Sequence, residues 1–447
     1  MSTPFRSWRA ALAVLAVIAA PLAGAEDLVQ VYHEARLNDP TLAAAQANWV
    51  ALQERLPQAR ALLLPNVNLT AAANANLYDA SIHTQPRIDI NGRGFAFGSL
   101  SVSASQPLYR YANKVALDQA RDQVEQSDYT LQSARQDLIL RVAQAYFDVL
   151  LAQFNVELAE SQKAAVSEQL AQAKRNFEVG VATITDTNEA QARYDAIVAQ
   201  EITARNDLDN RRTALRAIIG RAPGDLKRLG PGFEPRLPSP DSADYWVDRA
   251  LVDNIQVKVA QYNFDIATLE VERQRAGHLP TLDLVGSFNT QGSNAGISQS
   301  VASESRQALV GLALTVPLYQ GGFVNSKVRE AIALQENARQ NLEVARRNAL
   351  FNAQTGYSGV ASAVASVKAF EQAVVSAQTA YESNRTGQEV GVRTNLDVLN
   401  TQQQVFQTRR DLAQAYFNYL VGVLRLRSAI GTLSDEDVED INRRLRG

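Results

Sequence analysis

Asn66-Val67-Asn68-Leu69-Thr70-Ala71-Ala72-Ala73-Asn74-Ala75-Asn76-Leu77 is the stretch on which the fold turns. Val67, Leu69, Ala71, Ala73, Ala75 and Leu77 fall on one face, and Asn66, Asn68, Thr70, Asn74 and Asn76 on the other. A period of two with one apolar and one polar side marks a β-strand standing between unlike environments. Three more stretches read the same way. Leu100, Val102 and Ala104 alternate with Ser99, Ser101, Ser103 and Ser105; Leu282, Leu284 and Phe288 alternate with Thr281, Asp283, Ser287 and Asn289; Val310, Leu312, Leu314 and Val316 make a fourth apolar face. Strands are expected over about 64–78, 95–108, 279–291 and 306–318, each long enough to cross a bilayer, with polar loops near 79–94 and 290–306. An edge strand of a soluble sandwich would alternate too, but no other strands exist to build its partner sheet. Four strands cannot close a barrel around water, for which about eight is the lower limit. Several chains must therefore contribute: two would give eight strands and three would give twelve, and the pattern does not choose.

Outward from the strands, the chain repeats itself. Leu64-Pro65-Asn66-Val67-Asn68-Leu69 returns as Leu279-Pro280-Thr281-Leu282-Asp283-Leu284, and Gln106-Pro107-Leu108-Tyr109 as Val316-Pro317-Leu318-Tyr319. Glu178-Val179-Gly180-Val181 returns as Glu389-Val390-Gly391-Val392, and Ala217-Ile218-Ile219-Gly220 as Ser428-Ala429-Ile430-Gly431. The offset is about 210–215 residues throughout, far longer than a solenoid period. Each half reads helix, two strands, long helix, turn, shorter helix. The repeats span 26–220 and 245–431, with an insert at 221–244 and a C-terminal segment at 432–447.

From Asn113 to about Glu178 the chain has neither Pro nor Gly, and from Asn325 to about Arg385 only Gly356 and Gly359. Helices of that length span roughly 90–100 Å and need a partner helix along their whole extent. Val328, Ile332, Ala338, Leu342, Ala345, Ala349, Ala353, Gly356, Val360, Val364 and Val367 recur at steps of three and four, a seam of small residues that permits close approach. Ile184–Ile219 and Tyr245–Gly277 make shorter helices, of about 54 and 50 Å. Stacked end to end, they match one long helix. The segments near 27–63 and 394–430 can stack likewise. The Pro- and Gly-rich insert between them, with Gly230-Pro231-Gly232 and Pro238-Ser239-Pro240, reads as a belt at mid-height. The fold class expected is mainly α with membrane β: a barrel joined to a long antiparallel coiled-coil tunnel.

Arg6 and Arg9, an apolar run from Ala10 to Ala20, and Ala23-Gly24-Ala25 compose a signal peptide over 1–25. Its apolar run is too short to span a bilayer. The 447 residues contain no Cys, so an exported chain holds neither disulfides nor thiolate metal sites. No stretch approaches the length of a membrane helix, so entry into a membrane would require a barrel. The net charge of -3 lacks the basic excess of a nucleic-acid binder. His33, His83 and His278 have no ligand spacing, and there is no phosphate loop. Gly92-Arg93-Gly94-Phe95-Ala96-Phe97-Gly98 misses the dinucleotide fingerprint and precedes a strand. An enzyme is not expected, nor is a metal or cofactor.

Phe177-Glu178-Val179-Gly180-Val181-Ala182-Thr183-Ile184-Thr185-Asp186, then Asn188-Glu189-Ala190-Gln191-Ala192-Arg193-Tyr194-Asp195, resemble the TolC family of outer-membrane efflux channels. Val390-Gly391-Val392-Arg393-Thr394-Asn395-Leu396-Asp397-Val398-Leu399 and Ala415-Tyr416-Phe417-Asn418-Tyr419-Leu420 are similar to the same family. The resemblance covers essentially the whole mature chain. It implies a homotrimer with a twelve-stranded barrel in the outer membrane and a tunnel reaching into the periplasm. It also implies docking, through turns near Gly180 and Gly391, to a periplasmic adaptor and to an inner-membrane pump or ABC transporter. The expected function is passive export of small toxic molecules or polypeptides through periplasmic coiled coils that open like an iris.

Thr183-x-x-Asp186 and Thr394-x-x-Asp397 occupy equivalent places and fit a capping box at a helix start. The resemblance adds a gate, in which Arg393 pairs with Asp186 and Thr185. Arg393 stands where the first half has Ala182. The family's tyrosine lock falls on Gln388, and its two aspartate rings on Asp397 and Asn400, so one ring is uncharged. A weaker closed state and weaker cation selectivity are expected. A non-conducting trimeric scaffold or an adhesin is the competing reading; strand pairs in both halves, each between long helices, disfavour it.

Overall fold

The computed structural model describes residues 25–82, 88–230, 233–294 and 302–446. The expected signal peptide, apart from Ala25, and His83 lie outside them. Three short helices, α1 (Leu28–Asn38), α2 (Pro40–Gln53) and α3 (Arg55–Ala61), lead to the hairpin of β1 (Asn66–Ile82) and β2 (Ile88–Tyr109). Then come α4 (Tyr111–Glu178), α5 (Ile184–Ile219), β3 (Arg228–Leu229), α6 (Ala243–Asp253) and α7 (Ile255–Arg275). The second half continues with β4 (Thr281–Ser293), β5 (Ser303–Thr315), α8 (Phe323–Glu389), α9 (Asn395–Ala429), α10 (Asp435–Asn442) and β6 (Leu445–Arg446).

The four long strands form one antiparallel sheet in the order β1-β2-β4-β5, so the two halves join through β2 and β4. Their register runs the apolar residues in rows. Leu69, Val102, Phe288 and Ala308 lie across one another, as do Val67, Ala104, Gly286 and Val310. On the other face Thr70, Ser101, Asn289 and Gln307 form a polar row, in which the Ser101 hydroxyl donates to Asn289 Oδ1. The apolar face is uncovered: Val310 is 82% exposed and Leu312 and Leu314 are each 66% exposed. The outer edges of β1 and β5 pair with nothing among the described residues, and open strand edges are templates for further pairing.

The first hairpin is longer than the alternation indicated. Tyr78 pairs with Arg93, Ala80 with Ile90 and Ile82 with Ile88, carrying the ladder into the stretch expected to be loop. The alternation changes parity at the register shift between Tyr78 and Ala80 and continues as Tyr78, Ala80 and Ile82 against Ile88 and Ile90. At the other end of the sheet, Arg110, just before α4, grips Asp283 of β4 with two bonds, Nε to Oδ1 at 2.8 Å and Nη2 to Oδ2 at 2.6 Å. A planar fork on a carboxylate fixes direction as well as distance, and here it locks the start of α4, in one half, to a strand of the other.

α4 runs 68 residues and α8 runs 67, about 100 Å each. α5 (36 residues) folds back along α4 and α9 (35 residues) along α8. α7 packs against both α4 and α8. Two segments read as single helices are broken. Over 27–63, Asp39 ends α1 and caps α2, whose first residue is Pro40, and its carboxylate accepts from Leu42 N at 2.7 Å. The second break falls at Glu54, because Pro57 has no N–H to bond the carbonyl of Gln53. Over 245–277, Asn254 separates α6 from α7, capping α7 through Val257 N while its Nδ2 donates to Ala429 O at 2.7 Å. In α8, Leu342, Ala349, Ala353, Val360, Val364 and Val367 are buried as expected, but Ile332 is exposed and Ala331 turns inward.

The core sits halfway along the rods. Leu138, Ile139, Val142, Ala143, Tyr146, Phe147, Val149 and Leu150 bury most of the circumference of α4, because α1, α9 and the 221–242 loop all close on it. Phe147 stacks on Phe417 of α9 at 5.6 Å. The Tyr146 hydroxyl donates to Lys227 O at 2.8 Å, with Glu26 O at 3.1 Å; burial raises its pKa. Burying each such ring contributes about 1.5–3 kcal/mol. The loop and the C-terminal segment are one unit here, since β3 pairs with β6.

Candidate functional site

The site is built on two helix-to-helix turns at the end of the rods away from the sheet. After α4 the backbone of Gly180 takes φ 77°, and after α8 that of Gly391 takes φ 81°. Each turn closes with the same two bonds: Val181 N to Asn176 O at 2.9 Å with Gly180 N to Phe177 O at 3.0 Å, and Val392 N to Gly387 O at 2.9 Å with Gly391 N to Gln388 O at 3.0 Å. These satisfy the last free carbonyls of each helix, and the left-handed residue they require is glycine for conformational reasons. A Cβ at either position would meet nothing within 4 Å.

The next helix starts identically in both turns. Thr183 Oγ1 accepts from Asp186 N at 3.2 Å, and Asp186 Oδ2 accepts from Thr183 N at 2.9 Å and from Thr183 Oγ1 at 2.8 Å. Thr394 and Asp397 repeat this at 3.2, 3.0 and 2.8 Å. Both capping boxes are complete. The Thr394 N–H and hydroxyl, and beyond them the charge of Arg393, hold the Asp397 carboxyl below the ordinary value of 3.8.

Within one chain Arg393 does not meet Asp186 or Thr185. Its stem lies over Gly387, where an added Cβ would come within 2.7 Å of Arg393 Cγ. Arg393 and Thr185 are exposed, and among the described residues neither side chain makes a hydrogen bond or ion pair. Asp186 keeps Oδ1 free of hydrogen bonds in the same sense. Gln388 stays within its own turn, Nε2 donating to Asn395 Oδ1 at 3.2 Å. The chain thus brings Thr183 to Asp186, Thr394 to Asp397 and Gln388 to Asn395, and leaves Arg393 placed but unpaired.

One partner was invisible in the sequence. Asn400 Oδ1 accepts from Arg193 Nη2 at 2.9 Å, and Arg193 Nη1 donates to Gln403 Oε1. Arg193 stood inside the family-like stretch, but nothing in its spacing pointed across to α9. Beside this tie, Leu399 of α9 packs with Val166 of α4 and Ile197 of α5, with Tyr194 against them. At the tips Val179, Val181, Val390 and Val392 are each more than two-thirds exposed. Among the described residues no cluster of His, Asp and Glu has the arrangement of a metal site, and no helix is long and apolar enough to cross a membrane.

Comparison with known proteins gives a consistent answer. The family model described as outer membrane efflux protein matches twice, over residues 31–221 and 246–432. The outer membrane protein TolC of Vibrio cholerae is 36% identical over 424 residues, covering 94% of each chain. The alkaline protease secretion protein AprF of Pseudomonas aeruginosa is 35% identical over 419 residues, covering 92% of this chain and 86% of that one. Among solved structures, the outer membrane protein VceC of Vibrio cholerae superposes with a TM-score of 0.76 at 20% identity, covering 90% of this chain and 96% of that one.

Proposed function

Because the chain belongs to the outer membrane efflux protein family, we propose that three copies close their four-stranded sheets into one twelve-stranded barrel and their helical hairpins into one tunnel. The protein is an outer membrane channel for efflux or type I secretion. Its family is one of channels, not of enzymes. The observation that carries closure between copies is the sheet, with an uncovered apolar face, a polar face and, among the described residues, two unpaired edges on the same four strands; the number three follows the family. Lipid would cover the first, water the second, and neighbouring copies the third. A non-conducting scaffold or adhesin is not favoured, since neither needs a sheet of this kind.

In this reading the segment 1–25 directs export, the repeats at 26–220 and 245–431 build barrel and tunnel, and 221–244 with 432–447 form a belt. The β3–β6 pair supports that belt. Solutes supplied by an inner-membrane pump or ABC transporter pass through without chemistry. A periplasmic adaptor docks at the tips around Gly180 and Gly391, where four exposed valines offer apolar surface. Arg393 closes the gate by bonding Thr185 and the free oxygen of Asp186 on a neighbouring copy. Asp397 and Asn400 line the constriction. Gln388, held by Asn395, contributes no lock to Asp186.

Single-channel recording of the purified protein in a planar bilayer tests this. Small, long-lived steps in the wild type that enlarge in Arg393→Ser support the gated channel. Well-folded protein without conductance would return the scaffold reading to first place.

A further inference from the structure

Arg193 is half-buried on α5 and reaches α9 at the level assigned to the constriction. Its two acceptors, Asn400 and Gln403, stand three residues apart on α9, so their amides share one face and suit a planar fork. Both are neutral. Among the described residues no carboxylate pairs with Arg193. Asp195, two residues on, accepts from Gln191 at 3.0 Å, and Asp397 is closed into the cap of Thr394. A guanidinium does not lose its proton in a protein. Each chain therefore holds a guanidinium against Asn400 with no carboxylate bonded to it, while the capped Asp397, one turn away on α9, keeps its negative charge. Apolar packing keeps the guanidinium there, since Leu399, next to Asn400, and Tyr194, next to Arg193, belong to one buried cluster.

The geometry points to Arg193 as a residue that sets the charge selectivity of this channel, offsetting at Asn400 the negative charge that Asp397 brings to the constriction and so weakening the preference for cations. This rests on the placement of Asp397 and Asn400 at the constriction. Were residue 400 a carboxylate, the same guanidinium would be neutralised; against an amide it is not. Fixed charge at a narrow pore acts at short range and decides which ions enter.

The test is the reversal potential of the full-length channel in a planar bilayer under a potassium chloride gradient, for the wild type, Arg193→Gln, Arg193→Lys and Asn400→Asp. Arg193→Gln should raise the potassium-to-chloride permeability ratio roughly twofold or more. Asn400→Asp should also raise it, and Arg193→Lys, which keeps the charge, should not. An unchanged ratio in Arg193→Gln beside a raised one in Asn400→Asp overturns the role of Arg193 while the constriction stands. Unchanged ratios in both remove the constriction assignment, and this inference with it. Should Arg193→Gln fail to assemble, Arg193→His gives the same reading within one protein: its ratio should rise relative to the wild type as the imidazole discharges above about pH 6.5, and a ratio that follows the wild type at every pH overturns the proposal.

Discussion

The turn at Gly180 and the turn at Gly391 have the same backbone to within a few degrees of φ and the same closing bonds, yet different side chains. Glycine, threonine cap and capping aspartate are common to both. Where the first turn has Phe177, Ala182, Glu189 and Arg193, the second has Gln388, Arg393, Asn400 and Gln404. Residues shared by the two halves are those that the chain needs to reverse direction. Gln388, Arg393 and Asn400, assigned to gate and constriction, are among those that differ, while the shared Asp186 and Asp397 serve both the cap and the proposed site.

That division is open to experiment. The largest effect should come from Arg393→Ser, which in the proposed gate would remove charge-assisted bonds of about 1.5–3 kcal/mol each from three copies; conductance in a planar bilayer should rise severalfold, while Ala182→Ser in the first turn leaves it at the wild-type level. An equal response at the two positions would show that the asymmetry carries no function. Gly180→Ala and Gly391→Ala force a side chain into the left-handed region and should each destabilise by about 1–2 kcal/mol. Their losses, measured by denaturant unfolding in detergent, should agree with each other. Thr183→Ala and Thr394→Ala should each cost about 1 kcal/mol as lost helix caps, and a marked inequality would mean that one cap does more than start a helix.

The smallest effect concerns acid. The folded pKa of Asp397 lies below its ordinary value. Its contribution is therefore complete above the ordinary carboxylate range and lost as the pH falls through the folded value. Hydrogen-exchange protection at residues 391–397, corrected for intrinsic rate, should drop at low pH in the wild type. In Asp397→Asn it should be lower at neutral pH and lose that acid dependence.

Much of this fold was legible because it rests on local rules. The alternation from Val67 to Leu77 specifies a strand whatever surrounds it, and Thr183 and Gly220 bound α5 at the residues where sequence placed its ends. Local signals were also present where the reading went wrong: Pro40 and Pro57 mark the breaks in 27–63. Ile332 was misplaced because the seam of α8 changes partner along its length, facing α7 near the sheet and α9 near the turn. The tie from Arg193 to Asn400 was out of reach for a different reason. Its partners lie 207 residues apart, and no periodicity within either helix records which residue of the other it will meet.

The densest packing holds α4 near its middle, from Leu138 to Leu150, and beyond it buried positions thin to Ala152, Ala159, Gln162, Val166, Leu170 and Ala173. Mechanically the rod is a beam clamped at its centre with a free arm of about 40 Å toward the turn. The clamp lies between the sheet and the tip. It also supplies leverage: a tilt of about 10° at the clamp displaces the tip by about 7 Å on an arm of that length. The proposed opening at the turns would therefore ask for only a slight change of angle in the core.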